Sequence, residues 1–276
     1  MDPSSAIGLL LAWAAVVTAF LIEGGHLRGL VNFSAALIVI GGSLGATMLS
    51  MPLRRTLAIP SLLRRVFFPP RADAASLIDM LVHLAAKARR EGVLSLEADV
   101  GIASDDFVEK ALRLIIDGSD PQVVRETLQA ELHTRDREDE AGAEVFRTMG
   151  GYSPTLGIIG TVMGLIHMLA QLSEPGAMGP AIAAAFMATF YGVSLANLVL
   201  LPFADKLGTQ NGEASQRRQV VVEGVLGIQA GANPTALQDR LRSLLAPAAA
   251  AKRARTEKPA AARAAPREAE TLGQNA

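Results

Sequence analysis

Four long stretches of the chain carry no Asp, Glu, Lys or Arg. They run between Asp2 and Glu23, between Arg28 and Arg54, between Arg147 and Glu174, and between Glu174 and Asp205. A hydrocarbon core about 30 Å thick is crossed by roughly 20 apolar residues in helical form, and each stretch supplies that length. Core helices of soluble proteins are shorter, so the pattern predicts four membrane spans. The first stretch has the length of a secretion signal. It lacks a basic segment before it, and a second span follows within a few residues, so it is expected to be retained.

Between spans two and three the apolar positions become periodic. In ASLIDMLVHLAAKARREG, Leu77, Ile78, Leu81, Leu84, Ala85 and Ala88 recur at helical spacing, and Gly92 ends the run. A second helix is predicted in DDFVEKALRLIIDG, from Asp105 to Gly118. A third starts at SDP, with Asp120 as N-cap and Pro121 at the first helical position, and continues through Val124, Leu128 and Leu132 into HTRDREDEAGAEVFR. No alternating stretch of useful length suggests a strand. From about Pro247 the chain is mostly Ala, Lys, Arg, Glu and Pro, with little to bury, and reads as a disordered tail. The predicted class is all-α, a polytopic membrane protein with four transmembrane helices and a helical cytoplasmic domain. The expected divisions are a transmembrane hairpin at 1–53, the helical cytoplasmic domain at 54–147, a second hairpin at 148–204, a cytoplasmic helical region at 205–246 and the tail at 247–276.

Charge sets the orientation. Of the 26 Lys and Arg residues, 14 fall between Arg54 and Arg147 and 11 follow Asp205, whereas the loop EGGHLR holds one and the loop around Ser173 holds none. By the positive-inside rule both termini and the soluble mass are expected in the cytoplasm of a multi-pass membrane protein. The net charge of −1 gives no case for nucleic-acid binding. With no cysteine, disulfides and thiolate metal sites are excluded. Nucleophile motifs, phosphate-binding loops and metal-ligand clusters are missing too, so neither an enzyme nor a resident cofactor is expected. Within the spans the ionisable side chains reduce to His167, either a packing residue or a proton carrier.

Spans three and four are rich in small and mildly polar residues. GIIGTVMGL places Gly157, Gly160 and Gly164 near one face with Thr161 between them; span four carries Ala181, Ala184, Ala185, Ala188, Thr189, Gly192, Ser194 and Asn197. Glycine costs about 1 kcal/mol against alanine in a helix interior, so the choice needs a reason. Small residues let helices approach closely, and hydroxyls can bond across them. The pattern leaves open whether this face packs within one bundle or meets another chain.

The runs GGYSPTLGIIGTVMGL and GPAIAAAFMATFYGVSLANLVLLPFADKL, with the loop motif AAKARREGVLSLE, resemble the MotA/PomA family of flagellar motor stator proteins, over roughly residues 5–235. The TolQ/ExbB energisers share the last two spans and the Gly-Thr pattern but usually have three spans. The resemblance implies a ring of five copies around two MotB/PomB-type subunits, each with one membrane helix. The partner's aspartate would take up and release the ion, which accounts for the missing carboxylate here. It further implies that Gly157, Gly160 and Gly164 close the spans around the partner, that Thr161 and Thr189 line the ion path, and that Pro154 and Pro202 form a hinge, against a plain structural kink. Arg89 and Glu97, with Arg90 and Glu91 as neighbours, would engage the rotor protein FliG, against a merely solvated face. Sodium-driven members resemble this chain in having threonine at the position of Thr161; several proton-driven members have alanine. Threonine there permits sodium without requiring it, so H+ and Na+ both stay open. Besides the stator, an envelope energiser of the TolQ/ExbB kind and a passive membrane scaffold remain as alternatives.

Overall fold

The structure, a computed structural model, describes residues 3–69, 73–101, 105–170, 173 and 175–245. The expected tail at 247–276 lies outside the described residues. Among the described residues every regular element is helical. They fall into two units, one drawn from Met1–Ala72 and His133–Ser215, the other from Asp73–Leu132 and Gln216–Ala276.

Among the described residues four helices are long and apolar enough to cross a membrane, and their charge-free segments lie in the first unit. Span one is α1 (Pro3–Ile22), which buries none of its residues. Span two starts at Asn32, whose Oδ1 accepts from the Ala35 N–H at 3.1 Å as an N-cap. It comprises α2 (Phe33–Ala36), a π-turn at Leu37–Gly41 and α3 (Gly42–Ser50). In α3 the fully buried Thr47 turns its hydroxyl inward to donate to the Ser43 carbonyl at 2.7 Å, so the polar atom is satisfied inside apolar surroundings. Two short helices follow, α4 (Leu53–Leu57) and α5 (Ile59–Phe67). Leu62, Leu63 and Val66 of α5 pack on Phe146 and Phe203. On the polar side of α5, Arg65 bonds Asp139 at 2.8 Å and the Asn211 side-chain carbonyl at 2.9 Å.

The second unit contains α6 (Ala74–Glu91), α7 (Glu97–Val100) and α8 (Asp106–Ile116). It adds the start of α9 (Pro121–Ala170), the end of α11 (Leu201–Gln229) and α12 (Pro234–Leu245). Asp73, Asp105 and Asp120 each cap a helix by accepting from a backbone N–H two residues on, at 3.0, 2.9 and 2.8 Å. Leu81, Phe107, Leu112, Leu128, Ile228 and Leu241 are fully buried together, so residues from both sides of the membrane segment share one core. Leu81 reaches this core because Gly224 leaves room; a Cβ there would lie 2.7 Å from Leu81 Cδ1.

Span three is the later part of α9, and span four is α10 (Pro175–Leu195), continued by a π-turn at Ala196–Leu200 into α11. The expected divisions at 147/148 and 204/205 fall inside α9 and α11. Both helices run on through these points despite the nearby Pro154 and Pro202, and Arg147 pairs with Glu144 three residues back at 2.7 Å, which favours continuation.

Leu112→Ala is expected to remove about 3 kcal/mol of stability, as large-to-small changes in a filled core do. Thermal unfolding of the detergent-solubilised full chain, followed by helical circular dichroism, checks this. Leu94→Ala, at a side chain 72% exposed, is the control expected to change little.

Candidate functional site

The site is built on the approach of α10 to α9, and the glycines decide how close it is. A Cβ on Gly157 would lie 2.8 Å from the Ala188 carbonyl oxygen and 3.0 Å from Thr189 Cα. On Gly192 it would lie 2.5 Å from the Ser153 carbonyl oxygen and 3.1 Å from Gly157 Cα. Gly160 and Gly164 meet the side of α10 in the same way, at 2.6 Å from Ala188 Cβ and Ala185 Cβ. The three glycines therefore face span four of the same chain, Gly157 and Gly164 against its backbone and Gly160 against the Ala188 methyl.

This approach brings the two threonines together. Thr161 Oγ1 lies 2.5 Å from Thr189 Oγ1, 3.0 Å from the Ala185 carbonyl and 3.1 Å from the Gly157 carbonyl. Thr189 Oγ1 lies 3.4 Å from the Gly157 carbonyl. Each hydroxyl has one proton and two lone pairs. Thr189 can donate to Thr161 while Thr161 donates to Ala185, or Thr161 can donate to Thr189 while Thr189 donates to Gly157. In both arrangements the protons are used and three of the four lone pairs accept no bond within the pair.

Around this centre the other candidates separate. Pro154 lies one turn before Gly157 in α9, its Cα 3.2 Å from where a Cβ of Gly192 would sit. Having no N–H, it leaves the Gly150 carbonyl without its helical donor. Pro202 is the second residue of α11, directly after the π-turn Ala196–Leu200. A proline ring crowds the carbonyl four residues earlier, and the wider π-turn accommodates it. His167 lines a cavity of about 230 Å³ with Ser34, Gly160, Gly164 and Ala184, beside the glycine face but outside the hydroxyl pair.

Arg89 and Arg90 close α6, and Glu97 opens α7, both in the second unit. Gly92 between them has φ +88°, a left-handed conformation that glycine adopts readily, so the two helices are joined by a sharp turn. A bridge from Lys87 to Asp99 at 2.7 Å spans that turn. Arg89, Arg90 and Glu97 are exposed, and among the described residues they form no ion pair. They belong to the second unit, and the threonine pair belongs to the first.

Tyr191 was not singled out by sequence. Its hydroxyl donates to the Leu30 carbonyl and accepts from the Asn32 N–H at 3.0 Å, tying span four to the loop before span two. A tyrosine among small residues in an apolar span was the available signal, since its phenol needs a partner when buried.

Four charge-free spans, two of them held in backbone contact around a pair of hydroxyls, define a polytopic helical membrane protein. Residues 102–220 match the MotA/TolQ/ExbB proton channel family, and residues 6–92 match the Motility protein A N-terminal family. The chain is 34% identical to Motility protein A of Bacillus subtilis, over 87% of this chain and 90% of that one. It is also 34% identical to the chemotaxis protein PomA of Vibrio alginolyticus, over 89% of this chain and 96% of the relative. Its fold is similar to a solved MotAB structure from C. jejuni, with a TM-score of 0.85, 26% identity and full coverage of both chains. The chain belongs to the motility protein A family of flagellar motor stator proteins. This is a family of stator and channel proteins, not a known class of enzyme.

Gly157→Ala is expected to cost about 1–3 kcal/mol, because its Cβ meets backbone that cannot turn aside. Gly208→Ala, with open space at the Cβ position, is expected to be neutral or stabilising. Comparing the melting temperatures of the two variants in one detergent decides it.

Proposed function

We propose that this stator subunit forms an ion channel with a MotB/PomB-type single-span subunit and couples inward flow of H+ or Na+ to torque on the rotor. The carrying observation is the Thr161–Thr189 hydroxyl pair in charge-free spans: a path with oxygen ligands but no ionisable group of its own at that point. A carboxylate on the partner helix completes it, since a charge in the bilayer interior is costly without partners. In this reading five copies of the chain surround the partner pair, with both termini in the cytoplasm. The TolQ/ExbB-like alternative is not favoured, because the relatives matched over about nine-tenths of the chain are motility proteins.

The remaining residues take roles in the same reading. Gly157, Gly160 and Gly164 hold spans three and four at the spacing the path needs. Pro154 and Pro202 form a hinge by which ion binding alters the soluble helices. Arg89, Arg90 and Glu97, exposed around the Gly92 turn, engage the rotor protein FliG by complementary charge, which steers association more than it adds affinity. Sodium is the first reading for the ion, because three free hydroxyl lone pairs suit a hard cation, while a proton needs only the carboxylate.

Ion flux in cells co-expressing the chain with an unplugged partner tests the channel itself. Flux that disappears when the partner aspartate is removed is expected; no flux above background would sink the reading. Swimming speed against external sodium, at fixed pH and membrane potential, assigns the ion. A rise with sodium that Thr161→Ala weakens several-fold is expected, and a flat response assigns the proton. Arg89→Glu is expected to reduce motility at normal membrane levels and to be partly rescued by charge reversal on the rotor; unimpaired swimming removes that contact.

A further inference from the structure

Where span one approaches span four, the structure leaves a cavity of about 360 Å³. Gly8 and Ala12 of α1 form one wall, Phe203 of α11 the other, and Val66 of α5 the side. Ser4 and Lys206 line its polar end, where the Lys206 ammonium donates to the Ser4 hydroxyl at 3.3 Å. From Ser4 to Ala12 the slot follows α1 for about 12 Å at the helical rise.

Span one explains why this cavity matters. It buries no residue, and the side-chain bond from its Ser5 hydroxyl to the Val66 carbonyl of α5 is a long one, at 3.5 Å. Ser4 and Gly8 of its wall are exposed, so the slot opens onto the surroundings of span one, which in a membrane are apolar. The polar end lies where the apolar span gives way to the charged positions Asp205 and Lys206. Two residues from Val66, the exposed Arg64 forms no ion pair among the described residues, adding positive charge on the same helix. An apolar slot with a cation and a hydroxyl at its end suits an anionic amphiphile.

We propose that this cavity holds an acyl chain of one anionic phospholipid, with its phosphate at Lys206 and Ser4. The lipid would fill the gap between spans one and four and fasten span one to the rest of the unit. Basic pockets between membrane helices recognise anionic head groups in this way. The assignment rests on the membrane reading of the spans and is independent of ion flow.

Trp13, the sole tryptophan, follows Ala12 in α1 and so reports on lipid close to the span that forms the slot's wall. The full chain is reconstituted in vesicles of phosphatidylglycerol and phosphatidylcholine, with one or the other carrying a brominated tail. At equal mole fraction, brominated phosphatidylglycerol is expected to be preferred about fivefold at Trp13, the factor that one basic side chain near the surface supplies. Lys206→Gln should bring the preference to about one and Lys206→Arg should keep it. Gly8→Leu, whose side chain enters open space, should remove the preference with Lys206 still present. Preference unchanged in Gly8→Leu would mean diffuse surface charge and overturn the site. Loss of the preference on adding inorganic phosphate at constant ionic strength would assign a free anion instead of a lipid. Loss on assembly with a tryptophan-free partner subunit would place a neighbouring chain in the slot. Each of these last two results also overturns the proposal. Because the readout needs no ion flow, a chain that conducts nothing can still pass or fail it.

Discussion

The contact of Gly157 with Gly192 is the constraint from which the membrane unit follows. With no side chain on either, α9 and α10 approach until backbone meets backbone, and only then do Thr161 and Thr189 share a hydrogen bond. In hydrocarbon there is no hydrophobic force to drive two helices together, so van der Waals contact and interhelical hydrogen bonds must do it. The glycines supply the first and the threonines the second. The helix-propensity cost of the glycines is offset by this contact, and the same geometry sets where an ion would find oxygen atoms.

Outside the spans the forces change. The second unit is held by burial of aliphatic side chains from chain segments far apart in sequence, such as Leu81, Leu112 and Ile228. Its ion pairs, among them Arg125 with Glu223 at 3.1 Å, lie near the surface, where such pairs contribute at most about 1 kcal/mol. Arg65 is placed differently. Half-buried against Asp139 and Asn211, it anchors α5 to both long helices, and losing one partner would leave a poorly solvated charge.

Much of this was legible in the sequence where the cause is local. The bilayer demands uninterrupted apolar runs, so the spans could be read directly. The cap at Asp120 with Pro121 after it marks a helix start through neighbouring atoms alone, and the structure has α9 begin there. The small face of GIIGTVMGL was visible, but its neighbour was not, because glycine spacing says that something comes close without saying what. The π-turns at Leu37–Gly41 and Ala196–Leu200 depend on packing and on the crowding by Pro202, which no propensity encodes. Helical periodicity in α6 showed a buried face. That VVVEGV in α11 would cover it was beyond reach, since the partner is set by the path of the chain through the membrane; the apolar run itself was the clue.

The Tyr191 clamp has a consequence for the order in which the protein is made. The Leu30 carbonyl and the Asn32 N–H belong to a loop synthesised early, yet the hydroxyl that satisfies both arrives some 160 residues later. Until span four is inserted, that loop must find its hydrogen bonds in water. The two bonds that tie this loop into the unit are therefore the last it gains, because their shared partner sits on the last span to leave the ribosome.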